Sequence, residues 1–157
     1  MSLKRLQVLG VLLIALLAGC GDQPAPPQPQ QSNRPVVPTP STGMSAVAGQ
    51  VVGSGSTAPI KKTPIYLAQI HWDAEHKKAA YALDIARSPA TTTDQNGFFV
   101  FSDLPPNEYA LIVGDFYGRN DVVRESNGTA RIFQPVAGKT LDVEVVQVNP
   151  LVEVSGS

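Results

Sequence analysis

The sequence contains a single cysteine, Cys20, among 157 residues. A disulfide within the chain is therefore excluded, and the thiol needs another use if the protein is exported. Also absent are the glycine-rich phosphate loops of nucleotide-binding proteins, the metalloprotease H-E-x-x-H motif and the serine hydrolase G-x-S-x-G motif. These absences point away from several common enzyme classes and towards a structural or binding function.

Basic residues are few and scattered along the chain. Lys and Arg number 12 against 13 Asp and Glu. Removal of an N-terminal segment with Lys4 and Arg5 would leave 10 basic and 13 acidic residues, a net charge of −3. Nucleic-acid binding requires a clustered positive surface, so we predict no nucleic-acid partner.

The N-terminal segment has the pattern of a secretory signal. Lys4 and Arg5 precede an apolar run from Leu6 to Ala18. This run is shorter than the roughly 20 residues that span a bilayer, and it has the length of a signal-peptide core. It ends in Leu17-Ala18-Gly19-Cys20, which resembles a bacterial lipoprotein signal. An ordinary signal peptide with an incidental cysteine is the alternative.

The lipoprotein resemblance implies cleavage after residues 1–19 and acylation of Cys20, for example with palmitate. Several acyl chains anchor a protein stably, since each buried CH₂ contributes about 0.8 kcal/mol. Gly21 stands where lipoproteins kept at the inner membrane carry aspartate. The resemblance therefore implies an extracytoplasmic protein anchored through Cys20, at the outer membrane or cell surface rather than the inner membrane.

Residues 20–44 are predicted to be a disordered tether. The stretch is rich in proline and glutamine and has no aromatic residue, so it cannot bury enough apolar surface to order itself. Residues 22–43 in the extended polyproline conformation would reach about 65–70 Å at 3.1 Å per residue. A proline-rich partner motif is the alternative to a spacer.

Residues 45–150 are predicted to form one domain, followed by a C-terminal tail at 151–157. The domain length suits a single hydrophobic core. Short β-rich segments separated by turns predict an all-β, antiparallel sandwich of about seven strands. The six clearest strands are 46–52, 64–70, 98–101, 109–113, 131–133 and 140–148. In the last, Leu141, Val143 and Val145 are expected on one face.

Residues 73–86 carry mixed signals and could be helix, loop or strand. Asp73 is a candidate helix N-cap, whereas Tyr81, Leu83 and Ile85 alternate as in a strand. We interpret 73–80 as a loop or helical turn and 81–86 as a strand.

The stretch DQNGFFVFSDLPPNEY, residues 94–109, predicts a turn, a core strand and a corner. The Asn96-Gly97 pair favours a hairpin between residues 90–93 and 98–102. Phe99 and Phe101 should share one face. The two prolines should end the strand, and the Tyr109 hydroxyl should bond back to nearby backbone, as at sandwich corners.

This stretch carries a family resemblance. Together with Val-x-Gly-x-Val at 47–51 and Pro-Ile-Tyr-Leu at 64–67, its Thr-Asp-x-x-Gly-x-Phe-x-Phe-x-x-Leu-Pro-Pro-x-x-Tyr run at 93–109 is similar to carboxypeptidase regulatory-like domains. These belong with transthyretin-like and Cna-B-type β-sandwiches, of the broader immunoglobulin-like kind. Asn107 stands where the family has glycine, and asparagine tolerates a left-handed backbone. The resemblance implies a non-catalytic domain without the carboxypeptidase zinc site.

Loop aromatics are the candidate ligand-binding residues. Trp72, Phe116, Tyr117 and Arg119 could form a platform for a sugar or peptide, joined by Tyr66, because sandwich loops often carry binding residues. The alternative is that these aromatic rings cover the core.

Other candidates for chemistry have simpler interpretations. His71, Asp73, Glu75 and His76 resemble metal ligands in type, but their spacing matches no known motif. Asp94 and Asn96 fit a turn better than a calcium loop. An internal Lys–Asn isopeptide bond lacks a lysine in the first strand. We predict no metal, no cofactor and no catalytic residue.

The predicted function is therefore a non-catalytic, lipid-anchored envelope protein with a structural or binding domain. The alternative is a module that binds carbohydrate or another envelope polymer through its loop aromatics, with a glycan or protein as partner. A small metal-dependent hydrolase using His71 and His76 is a third hypothesis.

Overall fold

The computed structural model describes residues 34–149. The predicted signal peptide, Cys20, the first part of the tether and the tail at 151–157 lie outside this range. Nine strands occur within it. Their bounds are β1 Ser45–Gly53, β2 Pro64–Trp72, β3 Ala79–Ala82, β4 Ala90–Thr92, β5 Phe98–Leu104, β6 Tyr109–Gly114, β7 Asn120–Val122, β8 Ile132–Phe133 and β9 Thr140–Val148.

The strands form two sheets that face each other, which confirms the predicted all-β sandwich. The small sheet has the order β5-β1-β9. The large sheet has the order β3-β2-β6-β7, with β4 also paired to β2 and β8 to β6. All pairs are antiparallel except β1 with β9, which is parallel. No helix that could cross a membrane occurs among the described residues.

The core lies between the two sheets. Phe99 and Phe101 both point inward and are 2% and 4% exposed, as predicted. Their rings meet edge to face, with centroids 5.9 Å apart, in a geometry that aromatic pairs prefer. They pack with inward residues of both sheets, including Val47, Val51, Ile65, Leu67, Leu111, Val113, Val143, Val146 and Val148.

A second apolar cluster lies on the outer face of the large sheet. It consists of Ala68, Ile70, Ala110, Ile112 and Val122. All five are less than a tenth exposed, because larger side chains pack against them: Tyr66, Leu83, Ala130 and Ile132. The large sheet is therefore covered on both faces, and its outer face is relevant to the candidate site.

The predicted hairpin between residues 90–93 and 98–102 is wrong. The turn itself forms, since Asp94 Oδ1 accepts hydrogen bonds from the N–H groups of Asn96 and Phe98 at 2.7 and 2.9 Å, and Gly97 has φ +77°. However, β4 pairs with β2 in the large sheet, whereas β5 pairs with β1 in the small sheet. The turn carries the chain from one sheet to the other.

The corner at residues 105–109 forms as predicted, with one difference. The Tyr109 hydroxyl donates to the carbonyl oxygen of Pro105 at 2.9 Å. The left-handed residue, however, is Asp103, with φ +52°, and Asn107 is not in that conformation. Asp103 adopts this conformation because β5 contains a bulge. Ser45 and Val47 of β1 are two residues apart, but their partners in β5, Leu104 and Phe101, are three residues apart.

A similar bulge changes the predicted faces of β9. Glu144 has φ +58°. It lies in a stretch of β9 with one extra residue, because Ala48 and Gln50 of β1 pair with Asp142 and Val145. Beyond the bulge the alternation is inverted, so Val146 is buried and Val145 is 52% exposed. The prediction that Val145 shares a face with Val143 is therefore wrong.

Residues 34–44 contact the sandwich without forming a regular element. The backbone N–H of Ser41 donates to Asp103 Oδ1 at 2.7 Å, and Arg34 forms an ion pair with Asp142. These carboxylates lie on β5 and β9, on opposite sides of β1. The segment therefore crosses the outer face of β1, where Ala46 and Ala48 are 0% and 2% exposed. We call residues 34–44 the strap.

Residues 73–86 form a turn followed by a short strand. The turn at 73–78 is closed by the backbone of Asp73, whose N–H donates to the carbonyl of Lys78 at 2.9 Å. The strand is β3, at Ala79–Ala82, rather than the predicted 81–86. It ends there because the next turn starts at Asp84, whose Oδ1 accepts from the Ala86 N–H at 2.9 Å.

Candidate functional site

Trp72 is the last residue of β2 and points to the outer face of the large sheet. Its side chain is 38% exposed, and its indole N–H donates to Glu108 Oε2. The His76 ring stacks on the indole, with centroids 6.1 Å apart and planes 15° from parallel. The indole is thus held in one orientation while part of its surface remains open to solvent.

An apolar groove of about 280 Å³ lies beside Trp72. Tyr81 forms its other wall, is 47% exposed and stands opposite Ile70 in the β2–β3 pairing. Thr129 and Ile132 also line the groove. We call this the outer groove. Tyr81 was missed as a site residue because only the register of β3 against β2 brings it to the same face as Trp72.

Phe116 and Tyr117 lie together in the loop after β6. The Phe116 ring packs edge to face on Tyr66, at 5.9 Å between centroids, and on Tyr117 at 4.9 Å. The loop is held by Asp115, whose Oδ1 accepts from the Tyr117 N–H at 3.0 Å. Tyr117 is 81% exposed, so Phe116 extends the apolar cover while Tyr117 faces solvent.

Arg119 contributes to this loop through its backbone. Its carbonyl oxygen accepts from the Asp115 N–H at 2.9 Å and lies against Gly114, where an added Cβ would come within 2.2 Å of it. Gly114 has φ +120°, a conformation that favours glycine. The close approach fixes the loop that presents Tyr117.

The four predicted binding residues do not form one site. Phe116 and Tyr117 lie near Tyr66, whereas Trp72 is six residues further along β2, about 20 Å away at 3.3 Å per residue. Both ends belong to the outer face of the large sheet. The structure therefore places one predicted aromatic in the outer groove and two at the opposite end of the same face.

The histidine and carboxylate cluster does not converge on one point. His71 and Trp72 are adjacent in β2 and point to opposite faces. Asp73 Oδ1 accepts from the Lys77 N–H at 2.7 Å, and Glu75 pairs with the Lys77 ammonium at 2.6 Å. Among residues 34–149, no group of three or more His, Cys, Asp or Glu side chains is placed to hold a metal ion.

A second groove, of about 380 Å³, opens at the end of the sandwich on the inner side of the large sheet. Gln69 and His71 of β2 line it, opposite the turn at 84–89 and the corner at 105–109. We call this the inner groove. The sequence contains no signal for it, because three separate segments, 67–71, 82–89 and 105–109, contribute to its walls.

Tyr109 is at the floor of the inner groove and belongs to the corner. Its side chain is 3% exposed, and burial raises the pKa of its phenol. The hydroxyl therefore stays protonated and continues to donate to Pro105 at any physiological pH. This hydrogen bond keeps the wall formed by residues 105–109 in place.

No family model and no curated protein matches this sequence. Among solved structures, a candidate carbohydrate-binding protein from Pseudomonas aeruginosa is 16% identical with a TM-score of 0.43, over 70% of this chain and 92% of that one. A 9R-lipoxygenase from Cyanothece is 20% identical with a TM-score of 0.34, over 74% of this chain and 18% of that one. The major pilin subunit of Bacillus cereus is 13% identical with a TM-score of 0.35, over 64% and 29%.

This chain thus spans less than a third of the lipoxygenase and of the pilin subunit. At these identities and TM-scores, the likenesses carry no argument about ligand or activity. The functional argument rests on the residues of this chain.

Proposed function

We propose that this chain is a non-catalytic lipoprotein, anchored outside the cytoplasm through acyl chains on Cys20. The observation that carries the proposal is Leu17-Ala18-Gly19-Cys20 at the end of an apolar run, containing the only cysteine of the chain. The carboxypeptidase regulatory-like resemblance supports a structural or binding role for the β-sandwich. The domain would then act at the envelope, held near the membrane by residues 20–44.

The strap shortens the reach of the proposed tether. Residues 34–44 contact the sandwich, so the proposed spacer consists at most of residues 22–33. In extended polyproline conformation these twelve residues would span about 37 Å at 3.1 Å per residue. The strap therefore keeps the domain closer to the membrane than the whole Pro-rich stretch would allow.

Replacement of Cys20 by serine tests the anchor. In the wild type, the protein should stay in the membrane fraction after high-salt washing, because acyl chains hold it by apolar burial. Cys20→Ser removes the thiol that would be acylated, so the protein should leave that fraction. Equal retention of wild type and variant after the wash would refute the anchoring proposal.

Replacement of Gly21 by aspartate tests the location. In lipoproteins, aspartate directly after the cysteine favours retention at the inner membrane. In a bacterium with two membranes, Gly21→Asp should move the protein from the outer to the inner membrane fraction on a density gradient, with Gly21→Ser as control. An unchanged distribution of Gly21→Asp would contradict the proposed sorting.

We also propose envelope-polymer binding at the outer groove as a second candidate function. The observation that favours it is the pair of partly exposed rings, Trp72 and Tyr81, on one groove. Such rings provide large contact area at low entropic cost. Trp72→Ala should reduce retention on immobilised envelope polysaccharide or peptidoglycan. Tyr117→Ala, about 20 Å away along the sheet, is the matched control, and equal retention of both variants and wild type would refute this function.

A further inference from the structure

We propose that the inner groove is a binding site for a neutral saccharide, chemically distinct from the outer groove. It exists because β2 extends past the end of the small sheet. Leu67 is in the core, but the next inward residues, Gln69 and His71, are exposed. The β5 strand that would cover them ends at Leu104, and Pro105 and Pro106 turn the chain away.

Polar groups from separate segments converge on this groove. Gln69 and His71 come from β2, Asp84 and Arg87 from the turn after β3, and Asn107 from the corner. Within residues 34–149, the Gln69 and His71 side chains make no hydrogen bond or ion pair. Their donors and acceptors are thus available to a ligand in a space of about 380 Å³, within the range of small-molecule sites.

The walls of the groove are held by hydrogen bonds that do not involve the Gln69 and His71 side chains. The Leu67 N–H donates to the carbonyl of Pro89 at 2.9 Å, which fixes the turn against β2. Within that turn, the Asp84 N–H donates to Ser88 Oγ at 2.9 Å. The corner is fixed by the bond from Tyr109 to Pro105. A site whose walls are already ordered loses little conformational entropy on binding.

The charges of the groove select a neutral ligand. Arg87 Nε and Asp84 Oδ2 are 3.8 Å apart, so their charges largely cancel for a ligand in contact with both. What remains is a mixture of donors and acceptors: two amides, an imidazole, a carboxylate oxygen and guanidinium N–H groups. Hydroxyl groups both donate and accept, so a polyhydroxylated molecule can satisfy this mixture better than an anion or a cation can.

The groove also offers apolar surface for the carbon face of a sugar ring. Ala82, Pro89 and Pro105 line it beside the polar groups. An apolar lining with a few placed polar groups is the usual composition of a ligand site. The inner groove thus combines the two kinds of contact that a saccharide needs, and it does so on the opposite face of β2 from Trp72.

Neighbouring residues of β2 provide matched variants for the test. The purified full chain is titrated with maltose, cellobiose and chitobiose in an isothermal titration calorimeter, and glucuronate is the charged comparison. At least one of the neutral sugars should show saturable binding. Gln69→Ala and His71→Ala should each weaken it about fivefold to tenfold, as expected for the loss of one or two hydrogen bonds. Glu75→Ala, in the exposed turn after β2, should leave it within about twofold, because Glu75 lines neither groove.

Three outcomes would overturn the proposal. One is no heat of binding for any neutral sugar at millimolar concentrations. Another is binding lost in Trp72→Ala but kept in Gln69→Ala and His71→Ala, which would assign the sugar to the outer groove. The third is tighter binding of glucuronate than of the neutral sugars. Lipid anchoring is read out separately through Cys20, so either proposal can fail alone.

Discussion

The backbone N–H of Ser41 donates to the carboxylate of Asp103 at 2.7 Å, across the start of β1. Asp103 is the left-handed residue of the β5 bulge, so the irregularity of the sheet provides the acceptor that holds the strap. On the other side of β1, Asp142 lies just before the β9 bulge and pairs with Arg34. The two bulges beside one central strand thus hold the chain that leads towards Cys20.

The strap should loosen in acid. The Ser41 N–H holds the pKa of Asp103 below its ordinary value of 3.8, and the Arg34 guanidinium lowers the pKa of Asp142. A carboxyl with a lowered pKa in the folded state stabilises the fold above its unfolded-state pKa, and this contribution is lost as pH falls through the folded-state value. The melting temperature should therefore fall as the pH drops below about 4.

Asp103→Asn isolates this contribution, because asparagine also tolerates a left-handed backbone. Its melting temperature should fall less steeply between pH 5 and pH 2.5, pH values that bracket ordinary carboxyl titration at about 4. Asp73→Asn, in an exposed turn, is the control. An acid dependence identical in Asp103→Asn and wild type would contradict the proposed part of Asp103 in holding the strap.

The strap should also stabilise the isolated domain. A soluble fragment that starts at residue 34 keeps the contacts of Arg34 and Ser41, whereas one that starts at residue 45 exposes the outer face of Ala46 and Ala48. We expect the shorter fragment to melt several degrees lower, since 1 kcal/mol corresponds to about 4–8 °C in a domain of this size. Calorimetry of the two fragments measures the difference, and equal melting temperatures would mean that the strap adds no stability.

Gly49 should be intolerant of any side chain. It points inward from β1, where an added Cβ would lie 2.5 Å from Val143 Cγ2 and 3.1 Å from the Glu144 carbonyl oxygen. Gly49→Ala should cost about 1–3 kcal/mol, the usual range for overpacking. Gly53→Ala at the end of the same strand is the control, because the nearest atom to its Cβ is Ser56 Cβ at 3.8 Å. Chemical denaturation compares the two, and equal stabilities would show that Val143 and the neighbouring backbone of β9 shift easily to admit a methyl group at Gly49.

Removal of the Tyr109 hydroxyl should weaken the corner. Tyr109→Phe keeps the buried ring but leaves the Pro105 carbonyl without this donor. The expected loss is about 0.5–1.5 kcal/mol, measured by urea unfolding. Tyr117→Phe is the control because that side chain is 81% exposed. If the two variants unfold at the same urea concentration, the corner bond contributes nothing to stability.

The strands and the corner could be predicted from local patterns. The β-rich segment at 64–70 and the Phe99–Phe101 pair were enough to place β2 and β5, and the pair also gave the inward face of β5. The Tyr109 bond was also predictable, because donor and acceptor are four residues apart. Each of these features depends on sequence neighbours alone.

The features that failed depend on distant partners. The turn at 94–97 is compatible with a hairpin or with a change of sheet, and only pairing of β4 with β2 decides between them. The bulges at Asp103 and Glu144 place non-glycine residues in a left-handed conformation, which no local motif signals. Both grooves likewise depend on distant partners. Tyr81 and Trp72 line one groove, and Gln69 and Asn107 line the other, only after the strands have paired.

Mass spectrometry of the N-terminal peptide, from protein extracted out of membranes, tests the central claim most directly. A lipid-anchored protein should begin at Cys20 and carry the mass of a diacylglyceryl group and amide-linked fatty acid on that residue. Residues 1–19 should be missing from the mature chain. An unmodified Cys20 thiol that reacts with iodoacetamide, in a chain that still contains residues 1–19 or is cleaved elsewhere, would contradict the account.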